Sequence, residues 1–233
     1  MRPVRGVLFD KDGTLFDFAA TWQAWCAVFL ERIAADAMHA ARLGDAIGFD
    51  YAARRFAPGS VVVAGTTSEI AAALLPHLPG QSRSSLLTVM NAEAARAPQV
   101  EAAPLVPLLG GLRQAGLRLG VATNDSEAPA RAHLDRAGIL HLFDFIAGFD
   151  SGHGGKPAPG QLLAFADAVG LPVEEIVMVG DSTHDLEAGR AAGMRCVGVL
   201  TGLAGRDELS ARADIVFDNI SALPAWIAGQ AQV

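Results

Sequence analysis

The sequence predicts an α/β fold, a parallel sheet covered by helices with an α-helical insertion near its start, and three observations carry that prediction. From Pro104 to residue 217, short apolar runs alternate with helix-patterned stretches, a repetition that buries parallel strands beneath helices. Far upstream, Val7-Leu8-Phe9 reads as a further buried strand. Between them, residues 19–97 are rich in alanine and show helical spacing.

The elements follow in order. Val7-Leu8-Phe9 places Asp10 at the C-terminal end of a strand, and Gly13-Thr14 breaks the pattern after it. In the insertion, Trp22, Trp25, Cys26, Phe29, Leu30 and Ile33 fall at helical intervals. The two tryptophans read as core rather than as ligand-stacking residues. Breaks at Gly44, Gly48, Pro58-Gly59 and Pro79-Gly80 divide the insertion into several helices, one starting near Ser68-Glu69 and another at Ser82 or Ser84. Helix is then expected over 105–114, 127–137, 161–169 and 185–192, and strand over 117–122, 145–148, 176–179, 196–199 and 215–217. Polar residues follow the strands, so their C-terminal ends converge on one crevice.

Composition narrows the class. A chain of 233 residues, 51% hydrophobic and 18% charged, suffices for one large domain or for a core with a smaller domain. No apolar stretch is long enough to cross a bilayer, and Met1-Arg2-Pro3-Val4 runs directly into the first strand, so neither membrane nor signal peptide is expected. Cys26 and Cys196 form no Cys-x-x-Cys pair, which points away from a disulfide scaffold or structural zinc and towards a reducing cytoplasm. A net charge of −7 with no basic cluster argues against nucleic acid as a partner.

Four signals sit after strand ends. At the first, Asp10 and Asp12 are two residues apart in extended chain and can face one pocket, Asp10 attacking an electrophile while Asp12 shuttles the leaving group's proton. A strand running into an acidic turn is the plainer alternative. A calcium loop is excluded, because Thr14-Leu15-Phe16 is mostly apolar and no glutamate closes the loop. At the second, Thr123 and Asn124 can hold phosphate oxygens at a helix start, or Asn124, Asp125 or Ser126 simply caps that helix. The third is Lys156 in Gly-His-Gly-Gly-Lys-Pro-Ala-Pro, a cation able to relieve repulsion between a carboxylate and a phosphate dianion, or else a solvated surface lysine. Pro157 biases it towards an extended backbone, and His153 reads as a polar loop residue. At the fourth, Asp181 and Asp185 join Asp10 as hard oxygen ligands of the kind magnesium uses, with capping by Asp185 or Ser182 as the alternative. His184 reads as solvent-facing or supporting.

Asp-Lys-Asp-Gly-Thr-Leu at 10–15, Thr123-Asn124, Lys156-Pro157 and Gly180-Asp181-Ser182-x-x-Asp185, in this order at strand ends, resemble the four motifs of the haloacid dehalogenase superfamily over essentially the whole chain. The resemblance implies a Rossmann-like parallel sheet core formed by 1–18 and 98–233, with an inserted α-helical cap at 19–97 that closes over substrate and excludes bulk water. It implies that Asp10 forms an aspartyl-phosphate, that Asp12 serves as general acid and then base, and that Thr123 and Lys156 hold the transferring group. Gly13, Thr14 and Asn124 would complete the phosphate site. Asp10, Asp181, Asp185 and the Asp12 carbonyl would hold Mg2+. Asp12 separates the chain from dehalogenases, whose leaving halide needs no proton.

The helical cap and the run from Gly198 to Phe217 look most like phosphoglycolate phosphatase and its relatives. Two residues depart from that pattern: Lys11, where relatives commonly carry an apolar side chain, and Asn124 preceding Asp125. Lys11 is expected to alter charge near the mouth of the site. The expected substrate is a small phosphorylated metabolite with phosphoglycolate the first to try, its carboxylate meeting Arg54 or Arg55. Alternatives are a phosphomutase acting on a sugar phosphate and a phospho-receiver or ligand-binding regulator. A monomer or a homodimer is expected.

Overall fold

The structure is a computed structural model and describes residues 2–230. Strand β1 (Gly6–Phe9) leads into cap helices α1 (Phe18–Ile33), α2 (Ala37–Ile47), α3 (Val61–Ala64), α4 (Thr67–Leu74) and α5 (Arg83–Ala94), with a hairpin β2 (Phe49–Asp50) and β3 (Arg55–Phe56) between α2 and α3. The chain then returns through α6 (Leu105–Gln114), β4 (Arg118–Ala122), α7 (Glu127–Arg136), β5 (Phe145–Ala147), α8 (Gly160–Val169) and β6 (Ile176–Gly180). It closes with α9 (Thr183–Ala192), β7 (Arg195–Val199), α10 (Arg206–Ser210), β8 (Ile215–Phe217) and α11 (Leu223–Gln230).

The six long-range strands form one parallel sheet in the order β5-β4-β1-β6-β7-β8. Side chains alternate across it, so β1 sends Val7 and Phe9 to one face and Leu8 to the other. On the first face they meet Leu109, Leu119, Val121, Leu134 and Val177, and on the second Leu8 meets Leu162, Phe165 and Met178. With helices on both sides, the central strands are apolar throughout, and all four residues of β1 and all five of β6 are buried.

Because β1 lies between β4 and β6, Phe9 is in register with Val121 on one side and Val179 on the other. The residues that follow these three therefore emerge side by side at the C-terminal edge. Here the chain reverses direction across the sheet, the position where open α/β sheets bind ligands.

The cap helices are fixed at their ends by short polar side chains. Asp17 accepts from the Ala20 amide, Asp36 from His39, Ser82 from Ser85, and Thr66 forms a capping box with Glu69. Cys26, Phe29, Leu30, Leu43, Leu74 and Leu86 form the cap's own core.

Several sequence expectations change. The insertion is not wholly helical, since Phe49 and Phe56 pair across the β2–β3 hairpin with ring centroids 5.0 Å apart. The helix expected near Ser68-Glu69 begins earlier, with Thr66 as its cap. Two further helices appear, α10 between β7 and β8 and α11 after β8, and α7 stops at Arg136 while β6 continues through Gly180.

Gly120 lies where α8 presses on the sheet: a Cβ there would meet the Phe165 ring at 2.7 Å and Leu8 at 2.9 Å. Gly120→Ala is expected to lower stability by about 1–3 kcal/mol through overpacking, read as a reduced urea midpoint. A midpoint unchanged from wild type contradicts this packing.

Candidate active site

Asp10 follows β1, and its amide donates to the Val179 carbonyl of the neighbouring strand at 2.8 Å. Asp181 follows β6, Thr123 and Asn124 follow β4, and Asp185 stands in the first turn of α9. Ser182 caps that helix in a reciprocal box, its hydroxyl 2.7 Å from Asp185 Oδ2, so capping and site geometry coexist at Asp185. Ligand atoms of Asp10, Asp181 and Asp185 all lie within 4.8 Å of one another, and all three residues are buried.

Such crowding requires both space and counter-charge. Glycines supply the space: a Cβ on Gly13 would reach Asp181 Cγ at 2.3 Å, on Gly180 would reach Asp185 Cβ at 2.2 Å, and on Gly202 would reach Asp181 Oδ2 at 1.7 Å.

Lys156 supplies one counter-charge from inside the protein. Its Nζ donates to Asp10 Oδ1 at 2.6 Å, Asp185 Oδ1 at 2.5 Å and the Ala122 carbonyl at 2.8 Å, occupying all three protons. Burial would lower the Lys156 pKa, but Asp10 and Asp185 outweigh it and keep the ammonium charged. Burial pushes Asp10 up to about 7, with Asp185 and Asp12 adding to the rise against the pull of Lys156. Burial raises Asp181 well above the ordinary carboxylate range, as do Asp10 and Asp185. A divalent cation with hard oxygen ligands fits this excess of negative charge, and Asp10, Asp181 and Asp185 can hold it.

The remaining sequence candidates separate into groups. Thr123 lines the cavity above the acids, and its oxygen accepts from the Asp125 amide at 3.1 Å. Asn124 also lines it, but its side chain clasps the Lys156 backbone, accepting at 2.8 Å and donating at 2.9 Å. Gly13 and Thr14 are not brought to the cavity: the Gly13 amide donates to the Phe16 carbonyl and the Thr14 hydroxyl to Asp181 at 3.3 Å. Asp12 lines the cavity with Oδ2 on Lys11 at 2.5 Å, while its buried Oδ1 has no partner.

Lys11 is not near the mouth. It is 0% exposed behind Asp12, also 3.5 Å from Asp125, 3.1 Å from His133 Nδ1 and 5.5 Å from the Trp22 ring centre. Since Lys11 donates to Nδ1, the other ring nitrogen of His133 carries the proton and donates to the Ala94 carbonyl at 2.7 Å. Reading the sequence missed Asp125 and His133 as partners of this lysine. A cation between two acids was the available signal for Lys11, whereas nothing local marks His133.

The cap closes on this cluster. The Ala64 carbonyl accepts from Asn124 at 2.8 Å and from His184 at 3.2 Å, and Ser126 donates to Asn91 at 2.9 Å. His184 is thus half-buried at the seam, while His153 is exposed. Arg54 and Arg55 are exposed outside the cavity, Arg54 pairing with Glu31 at 3.7 Å. Neither stands where a substrate carboxylate would meet it. Trp22 and Trp25, besides packing in the cap, line the cavity.

A parallel sheet whose switch point gathers buried aspartates around one lysine, beneath a helical cap, defines a hydrolase of the phosphatase class. The family model of haloacid dehalogenase-like hydrolases matches residues 4–193, and the chain belongs to that family. It is 32% identical to a phosphoglycolate phosphatase of Xanthomonas campestris pv. campestris over 94% of either chain. It is also 38% identical to one of Rhodospirillum rubrum, over 52% of this chain and 50% of that one, so the chain spans about half the length of that relative. Among solved structures, CbbY from Rhodobacter sphaeroides in complex with phosphate shares the fold, with a TM-score of 0.71 at 24% identity over 94% of this chain and 96% of that one. Among the described residues, no helix is long and apolar enough to cross a membrane.

Burial, then the neighbouring Lys11 charge, lower His133 from 6.5 to about 4. Between those values the unfolded chain binds a proton that the folded chain resists, so this group's contribution to stability is lost as pH falls from about 6.5 to about 4. The full loss is up to about 3 kcal/mol. Asp10, raised to about 7, acts in the opposite sense over this range, and the rise of Asp181 has the same sign as that of Asp10, so the comparison must be with His133→Gln. The variant's urea midpoint is expected to fall less between pH 7 and pH 5 than that of wild type; equal falls contradict the assignment.

Proposed function

We propose that this chain hydrolyses a small phosphate monoester through an aspartyl-phosphate on Asp10, with magnesium as the metal. The observation that carries the reading is the pairing of Asp10, gripped by Lys156, with Asp12, whose buried Oδ1 has no partner and borders the same cavity. Magnesium, bound by Asp10, Asp181, Asp185 and the Asp12 carbonyl, would screen the phosphate dianion from its nucleophile.

The chain's own groups carry the rest. A carboxylate oxygen of Asp10 attacks phosphorus as the bond to the ester oxygen breaks, and that oxygen takes a proton from Asp12 and leaves as an alcohol. Asp12, now a carboxylate, accepts a proton from water, whose oxygen attacks phosphorus and restores the Asp10 carboxylate with release of inorganic phosphate. Lys156 offsets the negative charge gathered around phosphorus, and the Thr123 hydroxyl donates to a phosphoryl oxygen. Lys11 fixes one oxygen of Asp12 and leaves the other to move the proton. The cap contacts at Ala64 and Asn91 exclude bulk water.

Relatives named phosphoglycolate phosphatase make phosphoglycolate the reference ester. Asp10→Asn is expected to lower kcat/KM for phosphate release on the order of 10⁴-fold or more. Chelation of divalent metal is expected to abolish turnover and added magnesium to restore it. Turnover by Asp10→Asn close to wild type contradicts the nucleophile, and isomer formation from a sugar phosphate without phosphate release contradicts hydrolysis.

A further inference from the structure

The cavity above the acids extends from the carboxylates into the cap. Its two ends differ sharply. At the core end stand Asp10, Asp12, Thr123, Lys156 and Asp181. At the cap end the wall is Trp25, Phe29, Ile47, Val62, Ile70 and Met90.

None of the cap's basic side chains lines this space. Arg32 and Arg96 pair with Glu93, Arg54 pairs with Glu31, and Arg83 bonds to Ser68. Arg42 and Arg55 are absent from the lining, and both histidines of the cap face elsewhere, His39 bonding to the His77 carbonyl at 2.9 Å. Of the polar side chains that line the cavity, Thr67 turns to Asp125 at 3.4 Å, Ser182 donates to Asp185 at 2.7 Å, and His184 bonds to the Ala64 carbonyl of the cap at 3.2 Å, which leaves the Trp22 indole N–H as an uncharged donor. Trp25 spends its only donor on the Glu93 carbonyl at 3.1 Å and presents ring surface, and Cys26 offers no more than a weak sulfur donor.

A carboxylate entering this end would lose hydration with no cation to meet it, and sugar hydroxyls would lose theirs with few partners. An alkyl or aryl group would lose nothing and gain burial.

We infer that the substrate is a phosphate monoester of an apolar alcohol, its alkyl or aryl group enclosed by the cap wall and its phosphate held at the acids. This rests on the phosphate-ester reading above and specifies its leaving group. It separates this cavity from one built for phosphoglycolate, whose second acid calls for a cation or several hydrogen-bond donors at the cap end.

The test is kcat/KM for ethyl, butyl and hexyl phosphate, phosphoglycolate and glucose 6-phosphate, with magnesium. Values are expected to rise with chain length by up to about fourfold per buried methylene, leaving hexyl phosphate at least about tenfold above phosphoglycolate. Phosphoglycolate or the sugar phosphate equal to or above hexyl phosphate overturns the inference.

Binding separates this failure from failure of the phosphatase reading. Hexylphosphonate and phosphonoacetate, which are not hydrolysed, are titrated with magnesium present and followed by the fluorescence of Trp22 and Trp25. If no ester is turned over, hydrolysis is wrong, yet tighter hexylphosphonate binding still supports the apolar cavity and tighter phosphonoacetate binding overturns it. Val62→Arg, a half-buried wall position, should lower kcat/KM for hexyl phosphate at least about tenfold and raise that for phosphoglycolate. An unchanged ranking in the folded variant overturns the inference.

Discussion

The structure depends on holding three buried carboxylates around one lysine. Asp10 and Asp185 lie 2.6 and 2.5 Å from Lys156 Nζ, and Asp181 has no lysine of its own. Repulsion among these acids is tolerable only because the fold fixes each from a different element. Adjacent strand ends supply Asp10 and Asp181, a capped helix start supplies Asp185, and a loop pinned by Asn124 supplies the cation. Where a further side chain would strike the Asp181 or Asp185 carboxylate arm, the chain has Gly13, Gly180 and Gly202. The cluster gains little for stability, since removing charges from water costs more than an imperfect pairing returns. What it gains is an acid poised beside a cation in a site beneath the cap.

A second buried cation carries the arrangement towards the cap. Lys11 sits among Asp12, Asp125, His133 and Trp22, and burial would strip its charge were Asp12 and Asp125 not beside it. Through His133 and the Ala94 carbonyl this network reaches the end of the last cap helix. Asp12 is thereby held, through Oδ2, by groups that also meet the cap, and its Oδ1 is left without a partner. The acids and Lys156 stand at the core end of the cavity, and an apolar wall lines its cap end.

Much of this was legible in the sequence, for particular reasons. Parallel strands buried on both faces read as continuous apolar runs, so β1, β4, β6 and β7 stand out, and the acid that follows each of β1 and β6 is marked by position alone. The site could then be drawn from one dimension because register aligns those strand ends. The hairpin at Phe49 and Phe56 was not legible, since strands of two residues leave no period. Nor was the burial of Lys11, because its partners Asp125 and His133 are joined to it only by the return of α7 beneath the cap. Gly13 and Thr14 look like phosphate ligands in sequence, yet one closes a turn and the other supports Asp181. The cap's charge pattern misled in the same way: Arg54 and Arg55 are prominent in the chain and lie outside the cavity.

The most direct measurement of the central claim is ¹⁹F NMR of the protein with beryllium fluoride and magnesium, a mimic of a phosphoryl group on a carboxylate. Bound fluoride resonances that require magnesium and vanish in Asp10→Asn are predicted, because the acid held by Lys156 is the one that takes the phosphoryl group. Resonances that persist unchanged in Asp10→Asn would place that group on another residue and contradict the account.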